Sequence, residues 1–213
     1  MQRDVVERHA TQLDEEIGER PAGSQREFLA STYVLGHLQT AGYVARLDPI
    51  PVGDLVRSTS VIALPPDGAA PEVVVVVAYD TPPDEPVGGT SVGFFLDLAR
   101  ALRVRSPRHS VEFVALGAER TSESGGHLGS RRLAQEMLDR DLDPLVMTIG
   151  DVEEAGPALA SGAAAPELNV GIDPRPSLGV DVFARAGFDH IRVSGGIAPL
   201  GHALLDYLDS IDG

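Results

Sequence analysis

The chain has 213 residues, 32 acidic against 17 basic, with a formal net charge of −15. That length suits one larger domain or two small ones, able to bury roughly 70% of the unfolded surface, and so negative a field disfavours nucleic acid and anionic membranes as partners. There is no cysteine and no lysine, which removes disulfides, thiol nucleophiles, CxxC redox or zinc motifs, Schiff-base lysines and phosphate-loop lysines.

The opening MQRDVVERHATQLDEE is charged and helix-like, with Val5, Val6, Leu13 and Ile17 near one face. It has no apolar signal core, and no apolar run reaches the 18 or so residues of a membrane span, so a soluble cytoplasmic protein is expected. The cluster Gly18, Pro21, Gly23 breaks this helix. Ser24-Gln25-Arg26-Glu27 is a capping-box pattern and predicts a second helix to about Thr40, stopped at Gly42. Tyr43–Ile50 and Ser58–Leu64 then read as strands around a Pro/Gly turn.

Glu72–Ala78 holds five consecutive valines, which predicts a central strand covered on both faces. A Pro/Asp/Gly-rich loop follows, then an apolar helix over Ser91–Val104. Ser110–Leu116 is a second buried strand, Leu128–Arg140 a helix, and Pro144–Ile149 a third buried strand. Gly156–Pro166 is weakly patterned and reads as a loop or a short edge element. Leu178–Ala186 reads as helix, His190–Val193 as strand and Pro199–Leu208 as helix. Strands alternating with helices predict a three-layer α/β/α sandwich with a mixed, mostly parallel central sheet. No repeat or domain boundary is visible, so residues 1–213 read as one domain.

In open α/β sheets, sites form beyond the carboxyl ends of strands. Here those ends carry Asp80, then Glu119 and Arg120, then Asp151 with Glu153 and Glu154; His202 and Asp206 follow the last strand. One carboxylate past a strand is most simply a polar loop tip. A set of them on one sheet edge is a candidate metal or acid–base site.

In this order the motifs resemble the zinc-dependent aminopeptidase family, which also contains the glutaminyl cyclases. GERPAGS, the AGY turn, PEVVVVVAYD, VGGTSVGFFLDLARAL, VEFVALGAER with GHLGS, VMTIGDVEEAG and GHALLDYLDSID carry the resemblance from about Gly18 to Asp212. It implies a zinc-exopeptidase-like fold and a di-zinc site, in which a Glu acts as base on a bridging water. Ala78, however, stands where the family has a ligand His, Val87 where it has the bridging Asp, and Arg120 where it has a ligand Glu. The resemblance leaves Asp80 as the ligand-orienting acid, Glu119 as the base, and Asp151 and His202 as ligands. Two ligands cannot hold a zinc pair, and a single zinc would need Glu123 or His127 to swing in.

The expectation is therefore a degenerate, aminopeptidase-like bacterial protein with its ancestral zinc lost, no metal or other cofactor, and no peptidase activity. Asp151, His202, Asp206 and His127 would line the old cleft and bind a small amino-acid- or peptide-like ligand or a protein partner. Arg120 is expected to form an ion-pair hub with Asp80, Glu119 and Asp151. The resemblance also implies a shortened stretch between about 151 and 174 and a shortened C-terminus, leaving the pocket open or completed by a second subunit in a homodimer.

Two enzymatic alternatives stand beside this reading. One is a metal-independent catalyst with Glu119 as general acid/base and Arg120 orienting the substrate, Asp80 beside them. The other is a residual hydrolase, through a single zinc or through Ser91 in the G-x-S-x-G pattern Gly89–Gly93, with Asp181 and His202 in triad order. His9, His37, His109 and His190 read as surface or satisfied positions.

Overall fold

The computed structural model describes residues 1–82, 84, 85, 87–105, 109–122, 125–162, 170–172 and 180–210. The chain starts with helix α1 (Arg3–Thr11), which runs on into a π-helical stretch, Gln12–Ile17. The single helix expected here thus changes winding at its end. Gly18, at φ +78°, stops it.

Helix α2 (Gln25–Thr40) begins where the capping pattern put it, with Ser24 Oγ accepting from Glu27 N at 3.0 Å. The reciprocal half of the box does not form. The buried Glu27 carboxylate instead accepts from Gly23 N and from the Ser58 hydroxyl. Strands β1 (Val44–Val52) and β2 (Val56–Leu64) make an antiparallel hairpin at one edge. Pro49 and Pro51 share one side of β1, where the missing N–H faces outward and blunts that edge against further pairing.

The remaining elements are β3 (Val73–Ala78), α3 (Gly89–Arg105), β4 (Val111–Leu116), α4 (Leu128–Asp139), β5 (Leu145–Glu153), β6 (Ala158–Gly162), β7 (Gly171–Ile172), α5 (Val180–Ala186), β8 (His190–Gly196) and α6 (Ile197–Ser210). The weakly patterned stretch after Gly156 is a short strand at least to Gly162; 163–169 and the start of the helix expected from Leu178 lie outside the described residues. The sheet order is β1-β2-β4-β3-β5-β8-β6-β7. Pairs β3/β4, β3/β5, β5/β8 and β6/β7 are parallel; β1/β2, β2/β4 and β6/β8 are antiparallel.

The valine run shows why the sheet sits in the middle. Val73, Val75 and Val77 face a core with Val6, Val34, Phe94, Phe95 and Leu204, from α1, α2, α3 and α6. Val74 and Val76 face the opposite core with Leu133, Met137 and Phe183, from α4 and α5. All five are fully or almost fully buried, each contributing roughly 1.5–3 kcal/mol relative to exposure. This is the expected α/β sandwich, a mixed sheet with helices on both faces.

Candidate functional site

A cavity of about 720 Å³ opens at the carboxyl ends of β3, β4 and β5, lined on one side by Pro82 and Glu85 and on the other by Arg120, Gly125 and His127. The loop after β4 is strained. Ala118 (φ 51°) and His127 (φ 55°) both hold a left-handed backbone that non-glycine residues seldom adopt. Such conformations concentrate at functional sites.

Asp80 stands behind this loop, 1% exposed. Its Oδ2 accepts the backbone N–H of Arg120 at 2.8 Å, while Oδ1 has no hydrogen-bond partner among the described residues. Burial raises its pKa to about 6 against the pull of the Arg120 backbone N–H. Asp80 therefore anchors the 118–120 turn rather than lining the cavity.

Glu119 does line it, but its carboxylate is fully occupied. Oε2 accepts Ser130 N at 3.0 Å; Oε1 accepts the Ser130 hydroxyl at 2.6 Å and sits 2.8 Å from His127 Nδ1. These contacts place a carboxylate at the first turn of α4, where exposed N–H groups and the helix dipole favour negative charge. His127, the residue before α4, makes no side-chain cap bond to that helix, so Glu119 caps it from across the loop. That arrangement suits a structural cap better than a base poised for proton transfer.

The arginines differ most from expectation. Among the described residues no ion pair joins Arg120 to Asp80, Glu119 or Asp151, so the hub centred on Arg120 is not what forms. Its side chain is exposed at the cavity rim, and its guanidinium Nη2 lies 3.6 Å from where a Cβ on Gly88 would stand. The reason is geometric: the backbone of Arg120, not its side chain, satisfies Asp80.

The buried hub belongs to Arg20 instead. It is 0% exposed and donates through every guanidinium N–H: to Tyr79 O at 2.8 Å, Leu13 O at 2.5 Å, Gly18 O at 2.7 Å, Asp14 Oδ1 at 3.2 Å and Val87 O at 2.8 Å. Asp14 in turn accepts Gly89 N at the start of α3. One arginine thus ties the first helical segment to the loop after β3. Its sequence signal was only the GERPAGS motif.

Arg192 of β8 is the second residue the pattern missed, though a charge inside the apolar run His190–Val193 marks it. It reaches across Gly150, where a Cβ would stand 2.5 Å from its Nε, and pairs with Asp151 at 3.3 Å. Both residues line the cavity. Thr148 lines it too, with a buried hydroxyl that has no partner among the described residues.

Three expected site residues do not fit their assigned parts. Ser91 touches the cavity but lies in the first turn of α3 with no strand directly before it. Its hydroxyl donates to Gly150 O at 2.8 Å and accepts from Val152 N at 3.1 Å, so it stitches α3 to β5 and is no nucleophile elbow. His202 and Asp206 are exposed on α6 and do not line the cavity. α6 starts at the residue after β8, so no loop exists to carry them over the sheet edge. Asp80, Glu119, Arg120, His127 and Asp151 do gather around one sheet edge. Glu123 lies outside the described residues.

No protein-family model matches the sequence, and no curated protein matches it. Solved structures do. A leucine aminopeptidase precursor from Bacteroides thetaiotaomicron matches with a TM-score of 0.80 at 15% identity, over 99% of this chain and 98% of its own. A glutaminyl cyclase from Tannerella forsythia matches at 0.80 and 11% identity, over 99% of both chains. A zinc-dependent exopeptidase from Parabacteroides distasonis matches at 0.74 and 13%, over 99% of this chain and 98% of its own. This chain has the zinc-exopeptidase fold.

The Parabacteroides distasonis neighbour is zinc-dependent, and the described residues of this chain do not fit zinc at the corresponding sheet edge. Among the described residues no three His, Asp or Glu side chains come together closely enough to hold an ion. Ala78 offers a methyl group, and Arg120 is a fixed cation. Asp151, the strand-end carboxylate that remains, is paired with Arg192. None of the helices in the described residues is long and apolar enough to cross a membrane.

Proposed function

We propose that this exopeptidase-fold protein acts through its strand-end cleft as a binding protein, without the zinc peptidase chemistry of its structural neighbours. The observation that carries this reading is the Arg192–Asp151 pair at the cavity wall, a guanidinium on the carboxylate that would otherwise serve a dication. Arg120 adds a second fixed positive charge at the same rim. Arg192 competes with a metal ion for the Asp151 carboxylate, and Arg120 offers a fixed charge to the anionic group of a ligand. The cavity volume is that of a small-molecule or short-peptide site. In this reading the protein works in the cytoplasm, and neither nucleic acid nor membrane is its partner.

The test is elemental analysis of purified protein, together with hydrolysis of an aminoacyl anilide with and without added zinc. Substoichiometric zinc and no cleavage are expected. Stoichiometric zinc with removal of an N-terminal residue would overturn the reading.

A metal-independent acid–base enzyme is less well supported. Glu119 is committed to Ser130 and His127, and Asp80 lies behind the cavity wall.

A further inference from the structure

We propose that the cleft reads the free carboxylate of a zwitterion, an amino acid or short peptide, and that Arg120 is the residue that binds it. This rests on the binding-protein reading above and deepens it by naming the ligand class.

Three observations converge. First, Arg120 is a cavity-lining cation without an ion pair among the described residues, in a chain with nearly twice as many acids as bases. Arg26, Arg57 and Arg103 also lack an ion pair among the described residues, but none of them lines this cavity. The contrast with Arg20 and Arg192, both paired, is internal to the molecule. Second, the backbone that carries the guanidinium is anchored. Its N–H is held by Asp80, the Ala118 turn just before it is left-handed, and Nη2 reaches to 3.6 Å from where a Cβ on Gly88 would stand, an ordinary contact distance. A planar fork on an anchored backbone is the geometry that matches a carboxylate bidentately. Third, the buried Thr148 hydroxyl in the same cavity lacks a partner among the described residues, which leaves a hydrogen-bonding group for a ligand to satisfy.

Charge chooses among anions. The lining carries Glu85, Glu119 and Asp151 against Arg120 and Arg192. A phosphate dianion would enter a site already negative on balance. A monoanionic carboxylate with an ammonium elsewhere in the same molecule would not, since the exposed Glu85 attracts the ammonium. The volume leaves room for a dipeptide or somewhat more.

The experiment is equilibrium dialysis read by mass spectrometry. The probes are an equimolar pool of alanyl-X dipeptides, the same pool as C-terminal amides, the same pool N-acetylated, and inorganic phosphate as competitor. The wild-type protein is expected to retain the free acids at least tenfold better than the amides. Arg120→Gln should erase that difference with an unchanged melting temperature, and Arg120→Lys should restore part of it. N-acetylation should weaken retention less than amidation does.

Amides retained as well as acids, or acids retained undiminished by Arg120→Gln, overturn the Arg120 assignment and leave the binding-protein reading standing. Phosphate displacing the dipeptides at equal concentration overturns the carboxylate class. Retention of no dipeptide pool overturns both. Acid-selective retention together with zinc-dependent cleavage of the anilide overturns only the binding-protein reading.

Discussion

Arg20 and Arg120 are the same residue type at opposite extremes. Arg20 is fully buried, and each of its guanidinium N–H groups has an acceptor, mostly backbone carbonyls from the first helical segment and from the loop after β3. Arg120 stands at the rim of the cleft, fixed only through its backbone. A buried, saturated cation holds a fold together, because removing it takes a donor from four backbone carbonyls and from Asp14. An exposed, unpaired one adds little to folding and is available to a ligand. Residue type decides neither role; the surroundings do.

The sharpest way to break this comparison is to remove each arginine. Arg20→Ala is expected to cost about 3–5 kcal/mol, the penalty for stripping one partner from a buried charged cluster. Chemical denaturation followed by circular dichroism reads it, and Arg20→Lys should recover little, since one ammonium cannot reach acceptors spread around a planar fork. A loss below about 1 kcal/mol would mean the network is ornamental.

Next in size is Gly150→Ala, aimed at the Arg192–Asp151 pair. The new methyl group would meet Arg192 Nε at 2.5 Å and force the guanidinium aside. A cost of about 1–3 kcal/mol is expected, as for other overpacked sites. Thermal melts check it, and a double variant with Arg192→Ala should recover most of the loss if the clash is the cause.

A smaller effect concerns pH. Burial raises the pKa of Glu27 and of Glu112 to about 7, and that of Asp80 to about 6. A raised carboxyl pKa means the folded state holds its proton more tightly than the unfolded one. The stability linked to these groups is full below their unfolded values near pH 4 and is lost as pH rises through about 6 to 7. His9 and His37 oppose them: burial lowers both pKa values, that of His9 to about 4, so its share is full above about 6.5 and fades as pH falls towards 4. With three acids outweighing these two imidazoles, the melting temperature should be higher at pH 5 than at pH 8. Glu112→Gln should raise it at pH 8 by about 2–4 °C, the shift that roughly 1 kcal/mol makes in a domain of this size, and hardly change it at pH 5. Equal shifts at both values would show that ionisation is not the cause.

The smallest stability effect is that of Arg120→Ala. A change within about 0.5 kcal/mol is expected, as for other exposed positions. A clear drop in melting temperature would show the side chain to be part of the fold after all.

Much of the fold was legible because it rests on local pattern. The valine run announced a strand buried on both faces, and Val73 to Val77 do alternate between two cores. Ser24 announced the start of α2 because an N-cap is a contact between neighbours in sequence. The site was less legible. The strand-end rule placed Asp80, Glu119, Arg120 and Asp151 near one cleft, but it could not say which of them point into it. The turn at Ala118 sends the Arg120 N–H, rather than its guanidinium, to Asp80. His202 and Asp206 had looked like site residues because they follow a strand. They face solvent because α6 begins without a loop and turns Leu200, Leu204 and Leu208 to the core instead.

By itself the sequence determined the alternation of elements and the two-sided sheet. These follow from hydrophobic periodicity. Only the tertiary structure decided which arginine is a staple and which is free, and that Glu119 caps α4 through Ser130. Those outcomes depend on contacts between residues far apart in the chain, such as Arg20 with Val87 and Asp151 with Arg192, and no local pattern encodes the distance across which they meet.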